Sequence, residues 1–214
     1  MPNNAPFLDF QSDIEITDKS NLPHWHQKGK IQFITFRQAD SLPQERINDL
    51  KKDIALFKSL NPEPWTTEIK RRYNNLIGQT EERLLNKGFG SNRLKNPEIR
   101  RIVHDTLHYK ADIDYQLLAY VIMPNHVHLL IKSIGDKTTP QILHSIKRFS
   151  AFKINRYLKA TGKFWLAESF DRIVRNKEHL KHCVSYITEN PRNLPITDYE
   201  LYVNGPLIGS ILSI

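Results

Sequence analysis

The stretch Tyr120-Val-Ile-Met-Pro-Asn-His-Val-His-Leu-Leu-Ile131 constrains the fold of this chain more than any other. Its residues are apolar and β-branched, broken once by Met123-Pro124-Asn125. Pro sets the first central position of a turn and Asn tolerates unusual backbone angles, so these three residues predict a tight connection between two strands. Side chains alternate between the faces of a strand. His126 and His128 therefore share one face, while Val127, Leu129 and Ile131 share the other and face a core. Two imidazoles spaced this way can hold one metal ion. A bare His-x-His is more often a polar pair on a half-exposed strand, so the pair needs a second, independent signal.

The rest of the chain supplies a frame. Lys30–Phe36 alternates β-branched and aromatic residues and predicts a first strand. Gln44–Ser59 has helical spacing, with Ile47, Leu50, Ile54 and Phe57 on one stripe, until Pro62 and Pro64 stop it. A second helix is expected from Thr66 or Thr67 through Ile69, Tyr73, Leu76, Leu84 and Leu85 to Gly88. Asn96-Pro97-Glu98 starts a third: a capping side chain, Pro in the first turn, and an acid at the positive end of the dipole. Tyr115–Ile122 and His126–Lys132 form the hairpin. Thr139-Pro140 opens a helix through Ile142, Ile146, Phe149 and Tyr157, with Lys147, Arg148, Lys153, Arg156 and Lys159 on its polar face. Phe164-Trp165 and Phe170–Val174 predict a short strand. Asn176 caps a last helix to Asn190, stopped by Pro191. Beyond it the chain reads as coil, with an apolar tail, Leu207–Ile214, able to pack as an extra strand. Pro23-His24-Trp25-His26 holds a second His-x-His in a Pro-broken segment without β patterning, and no strand is expected to support it.

The second signal lies on the last helix. At 100° per residue, His179, His182, Tyr186 and Asn190 form a polar stripe beside an apolar one of Leu180, Cys183, Val184 and Ile187. The apolar stripe must dock on the sheet. The polar stripe then lies within reach of side chains on a strand. A Tyr with an Asn one turn later suits a phenol nucleophile beside a metal ligand; a packed ring with an exposed hydroxyl is the ordinary alternative.

In order and spacing, Met123-Pro-Asn-His-Val-His-Leu-Leu130, Phe164-Trp165, Asp171-Arg-Ile-Val-Arg175, Glu178-His179-Leu180 and Tyr186-Ile-x-x-Asn190-Pro191 resemble the REP-associated tyrosine transposases. These belong with the IS200-like single-tyrosine transposases of the HUH superfamily. The likeness spans about residues 23 to 195 and includes Gly88-Phe-Gly90 and Asn96-Pro97-Glu98. The tail after Pro191 departs from the family's. The resemblance implies an α+β fold, a central antiparallel sheet of four to five strands flanked by helices, with the histidines on a central strand. It implies that His126, His128 and Asn190 bind a divalent metal, Mg²⁺ or Mn²⁺, and that Tyr186 is the nucleophile. The activity implied is cleavage and rejoining of single-stranded or hairpin DNA, including palindromic repeats, through a 5′-phosphotyrosine. Tyr157 is a rival nucleophile.

Arg172, Arg175, Lys147, Arg148 and His179 are candidate DNA contacts, and Trp165 and Phe170 candidate stacking residues. A formal charge of +8 favours a polyanionic partner. The expected organisation is a flexible arm at 1–22, the transposase domain at 23–195 with a helical insertion at about 44–110, and a tail at 196–214. A monomer is favoured over a homodimer because the loop Phe164–Val174 is short. The one cysteine, Cys183, precludes an internal disulfide and suits a reducing compartment. No signal peptide and no membrane span are expected, which fits a cytoplasmic setting, and the resemblance implies a bacterial, nucleoid-associated protein. Two other functions compete. One is a non-catalytic DNA-binding regulator on the same fold. The other is a His-x-His metal-dependent hydrolase, which would want a further His or Asp near Leu130 and Ile131.

Overall fold

The computed structural model describes residues 6–9, 11–12, 15–17, 24–66, 68–69, 72–73, 76, 80, 83–85 and 87–213. Two short strands, β1 (Glu15–Thr17) and β2 (His24–His26), pair antiparallel. Next come β3 (Ile31–Arg37), α1 (Gln44–Leu60), a 3-10 turn at Arg93–Lys95, α2 (Pro97–Tyr109), β4 (Tyr115–Ile122) and β5 (His126–Ser133). The chain closes with α3 (Thr139–Leu158), β6 (Phe170–Ile173), α4 (Lys177–Glu189), β7 (Glu200–Val203) and α5 (Gly205–Ser213). The main sheet is antiparallel throughout, in the order β6-β3-β5-β4-β7, so β5 is its middle strand. The fold is α+β, as expected.

Alternation along β3 and β5 sorts the core into two layers. Ile34, Phe36, Val127, Leu129 and Ile131 pack with Ile99, Val103 and Leu107 of α2 and Ile142, Leu143, Ile146 and Ile154 of α3. On the other face Ile31, Phe33, Val121 and Leu130 meet Leu180, Cys183 and Ile187 of α4. The apolar stripe of α4 thus docks as its spacing requires. Asn176 Oδ1 accepts from His179 N at 2.8 Å to start that helix, and Asn96 Oδ1 accepts from Glu98 N at 2.9 Å to start α2.

Three expectations change. His24–His26 is a strand: it pairs with β1 and lies against β6, and long-range contacts supply what its local pattern lacks. Part of the N-terminal segment is also tied down, since Pro6 O accepts from Ile31 N at 2.8 Å and Leu8 N donates to Val174 O at 2.9 Å. The tail is a helix, not a strand. Leu207 N bonds Asn204 Oδ1 at 3.1 Å, Pro206 fits the first turn, and Ile208 and Ile211 are buried on the α4 side of the sheet. The added edge strand is instead β7, in the region expected as coil.

Residues 44–110 are not uniform. No side chain of α1 is buried, whereas α2 lies within the core. The helix expected from Thr66 or Thr67 falls largely outside the described residues, of which 68–69, 72–73, 76, 80 and 83–85 are helical.

Gly90 (φ +87°) faces the backbone of Asp40, and a Cβ there would collide with the Asp40 carbonyl oxygen. Gly90→Ala is expected to lower stability by about 2–4 kcal/mol, the sum of a strained φ and a rigid clash. Urea denaturation reads this directly, and a loss below about 0.5 kcal/mol would show that the loop simply moves.

Candidate active site

β5 presents His126 and His128 on the face covered by α4. Both are buried, at 1% and 2% exposure. Their Nε2 atoms face one another at 3.0 Å. The Tyr186 hydroxyl, on α4, lies 3.3 Å from His128 Nε2, with its ring edge-on to that imidazole at 5.0 Å between centroids. Phe33 stacks on His128 and meets the Tyr186 ring edge-on, both at 5.6 Å, which holds nucleophile candidate and imidazole in one packed group. One chain supplies the whole group.

Hydrogen bonds fix the ring nitrogens. Asn125 Nδ2 faces two carbonyls, Phe89 O at 3.1 Å and Leu85 O at 3.3 Å, so it is the amide's donor side. Asn125 Oδ1 then faces His126 Nδ1 at 2.7 Å and must accept from it. The neutral His126 ring therefore carries its proton on Nδ1 and offers a lone pair at Nε2. Without a cation, the Nε2–Nε2 contact needs a proton on His128 Nε2, and Thr35 Oγ1, 2.8 Å from His128 Nδ1, donates to that ring. With a cation at the two Nε2 atoms, the His128 proton belongs on Nδ1 and the Thr35 hydroxyl accepts it.

Burial, and then the charge of Arg37, push the His126 pKa down to about 3. His128 lies well below the usual value through burial first, then His126 and Arg172. Both rings are neutral, the form that ligates metals. Asn190, one turn after Tyr186, keeps a buried Oδ1 with no hydrogen-bond partner among the described residues. Among the described residues, no group of three or more His, Cys, Asp or Glu is placed to hold a metal.

The acid behaviour follows from these values. In the unfolded chain His126 takes a proton near pH 6.5; in the folded protein it resists until about pH 3. Between those values the unfolded state binds more protons, so stability falls as pH falls, by up to about 1.4 kcal/mol per unit from this ring. Urea titrations in EDTA at pH 7 and pH 5 should show the drop, and His126→Ala should make it smaller, with the lowered His128 and His179 still contributing. An equal slope in the variant would remove His126 as its source.

The other candidates divide between the two faces. Arg172, opposite Phe33 in the β3–β6 register, shares the face of the histidines. Its guanidinium lies over Phe33 at 5.1 Å and Phe170 at 5.8 Å, and its buried Nε has no hydrogen-bond partner among the described residues. Arg175 is exposed at the β6–α4 corner. There His179 Nδ1 accepts from Arg175 N at 3.1 Å. Burial, then Arg172, Arg175 and His182, push the His179 pKa down to about 4, so the ring is neutral while it braces the corner. His182 is exposed.

Lys147, Arg148 and Tyr157 belong to α3, on the opposite face of the sheet, so they do not join the histidines. Lys147 Nζ donates to Ala167 O at 2.7 Å, and burial holds its pKa near 8. Trp165 is core: it is buried and its Nε1 donates to Ser150 Oγ at 2.9 Å. Sequence reasoning missed the orienting roles of Asn125 and Thr35. Asn125 read only as a turn residue, and the signal available was an amide adjacent to the first histidine. The hydrolase alternative finds no further ligand after the pair, since Leu130 lies in the apolar cluster.

The family model described as "Transposase IS200 like" matches residues 67–190, which include His126, His128, Tyr186 and Asn190. The chain belongs to the IS200-like transposase family. Among solved structures, a REP-associated tyrosine transposase bound to a REP hairpin aligns with a TM-score of 0.45 and 15% sequence identity, over 81% of this chain and 73% of that one. No curated protein matches the chain. No helix among the described residues is long and apolar enough to cross a membrane.

Proposed function

We propose that this protein is a single-tyrosine DNA strand transferase. It cleaves and rejoins single-stranded or hairpin DNA through a 5′-phosphotyrosine on Tyr186. The observation that carries this reading is the approach of the Tyr186 hydroxyl to 3.3 Å from His128 Nε2, itself 3.0 Å from His126 Nε2. A buried polar constellation of this kind costs stability and is retained where chemistry needs it.

The donor set fits a divalent cation, Mg²⁺ or Mn²⁺. Two neutral imidazoles converge, each is oriented by a partner on Nδ1, and the Asn190 oxygen is left over. Such an ion supplies Lewis-acid polarisation of a non-bridging phosphate oxygen. The protein does the rest. Phe33 and the α4 packing hold the Tyr186 phenol in line with the site. Its oxygen bonds to phosphorus as the bond to the 3′-oxygen breaks; the phenol loses one proton and the leaving oxygen gains one. The products are a 5′-phosphotyrosine and a 3′-hydroxyl, and reversal with another 3′-hydroxyl rejoins strands without ATP. Arg172, on the face of the histidines, brings a positive charge toward the phosphate. Arg175 stands at the exposed edge for the flanking backbone. A monomer suffices for this chemistry, and light scattering tests that.

The deciding experiment incubates the protein with labelled hairpin and single-stranded DNA and Mn²⁺, then separates the products on a denaturing gel. A slow-migrating protein–DNA adduct supports the reading. DNA binding without an adduct on any substrate would point to a regulator instead.

A further inference from the structure

The helical insertion meets the rest of the domain beside the histidine pair. Its first helix, α1, has no buried side chain. Its far end is seated instead. Leu84 and Leu85 form a small apolar cluster with Leu42, joined by Ile47 and Phe89 and separate from both layers of the main core. The chain is then stitched to the β3–α1 loop, where Ser91 N donates to Asp40 Oδ2 at 3.1 Å and Arg93 N to Gln38 Oε1 at 3.2 Å. The hairpin turn before His126 is held by backbone bonds from both sides, Gln38 N to Asn125 O at 2.9 Å and Leu94 N to Pro124 O at 3.1 Å. The Asn125 side chain, 1% exposed, joins insertion to histidine. Its Nδ2 donates to Leu85 O and Phe89 O, and its Oδ1 accepts from His126 Nδ1.

An amide has nearly the same shape either way round, so its polar partners choose its orientation. Backbone carbonyls only accept. While Leu85 and Phe89 are seated, the Asn125 nitrogen must face them and its oxygen must face His126. Turned over, the amide would set oxygen against oxygen and aim an N–H at His126 Nδ1. That ring would then accept at Nδ1 and carry its proton on Nε2, with no lone pair left there for a cation. The ring is neutral in both forms; only the place of the proton differs. We infer that the end of the insertion is the positioning element of the metal site. Docking of Leu85 and Phe89, relayed by Asn125, aims the His126 Nε2 lone pair at the cation's place. The inference rests on the strand-transferase reading, in which His126 is a metal ligand, and makes the insertion a control on it. Gln38 and Leu94 hold the turn's backbone without help from Leu85 or Phe89, so a lifted insertion frees the amide and leaves the strand where it is. Whatever displaces the insertion end switches the site off, and whatever presses it down keeps the site ready.

The test reads the ring protons of the metal-free, full-length protein in EDTA, by long-range proton–nitrogen NMR spectra of its histidines. The wild type should carry the His126 proton on Nδ1 and the His128 proton on Nε2. Leu84→Ala loosens the small cluster without touching Asn125, and Leu42→Ala does so from the other side if the first variant does not fold. Val103→Ala, in the opposite core layer, controls for general loss of stability. In Leu84→Ala a second form should appear in which the Nε2–Nε2 bond is reversed, with protons on His126 Nε2 and His128 Nδ1. Mn²⁺ affinity should fall by about tenfold, as for a lost outer-shell partner. Asn125→Ala should lose the same preference with the insertion still seated. Val103→Ala should keep wild-type spectra and affinity. Unchanged ring protons and Mn²⁺ affinity within twofold of wild type in the cluster variants would overturn the proposal. Equal changes in Val103→Ala, or a wild-type His126 protonated on Nε2, would overturn it too. A wild type that neither binds Mn²⁺ nor forms an adduct would strike the strand-transferase reading instead. The spectra need neither metal nor DNA and still judge the link from the insertion to His126.

Discussion

Tyr186→Phe is expected to abolish the proposed covalent protein–DNA adduct, by at least about 10⁴-fold, while DNA affinity should stay close to wild type. The size of the effect follows from the role. Removing a nucleophile leaves nothing to form the intermediate, and no neighbour substitutes: Tyr157 is on α3, across the sheet. The fold should barely notice. The ring keeps its edge contacts with Phe33 and His128. The 3.3 Å hydrogen bond to His128 Nε2 is lost, worth about 1 kcal/mol. The readout is therefore a gel lane that loses its slow band beside a melting curve that hardly moves. An adduct that survives in Tyr186→Phe and vanishes in Tyr157→Phe would sink the assignment.

This site was legible in the sequence because both of its halves lie on periodic elements. Alternation in β5 places His126 and His128 together without any knowledge of the fold, and 100° steps place Tyr186 and Asn190 beside the stripe that must dock. What periodicity does not encode is which side of the sheet a helix covers. Lys147 and Arg148 read as a basic face just as well as they would have over the active site, yet the layer of Ile142 and Ile146 carries them to the reverse. His24–His26 was illegible for a different reason. Its strand pairing comes from β1, and Pro23 hides any local pattern. In the tail the apolar residues are dense enough to satisfy a period of two or of 3.6, and the Asn204 cap decides for the helix. Asn125 was half legible: the turn was evident, but its side-chain bonds to Leu85 and Phe89 depend on a segment distant in sequence.

His126→Ala and Asn190→Leu should separate catalytic need from structural comfort, because they move stability in opposite directions and metal binding in the same one. His126→Ala would remove a proposed metal ligand, open a cavity on the central strand and leave the buried Asn125 Oδ1 without its donor. The metal-free protein should lose about 2–4 kcal/mol. Mn²⁺ affinity should fall by at least about 100-fold and adduct yield by at least about 10³-fold, given that a lost outer-shell partner already costs 10–100-fold. Asn190→Leu removes an amide whose buried oxygen has no hydrogen-bond partner among the described residues. A similar-sized apolar side chain there should leave the metal-free protein as stable as wild type, or more so by about 1 kcal/mol. Yet Mn²⁺ affinity should still drop at least about tenfold. If the proposed site binds Mn²⁺, the ion at 100 times its dissociation constant should stabilise the wild type by about 2.7 kcal/mol. At the same concentration Asn190→Leu should show about half that shift and His126→Ala almost none. A destabilised Asn190→Leu with an undiminished Mn²⁺ shift would mean that the amide serves the helix end, and that the histidine pair finds its third ligand in water or DNA.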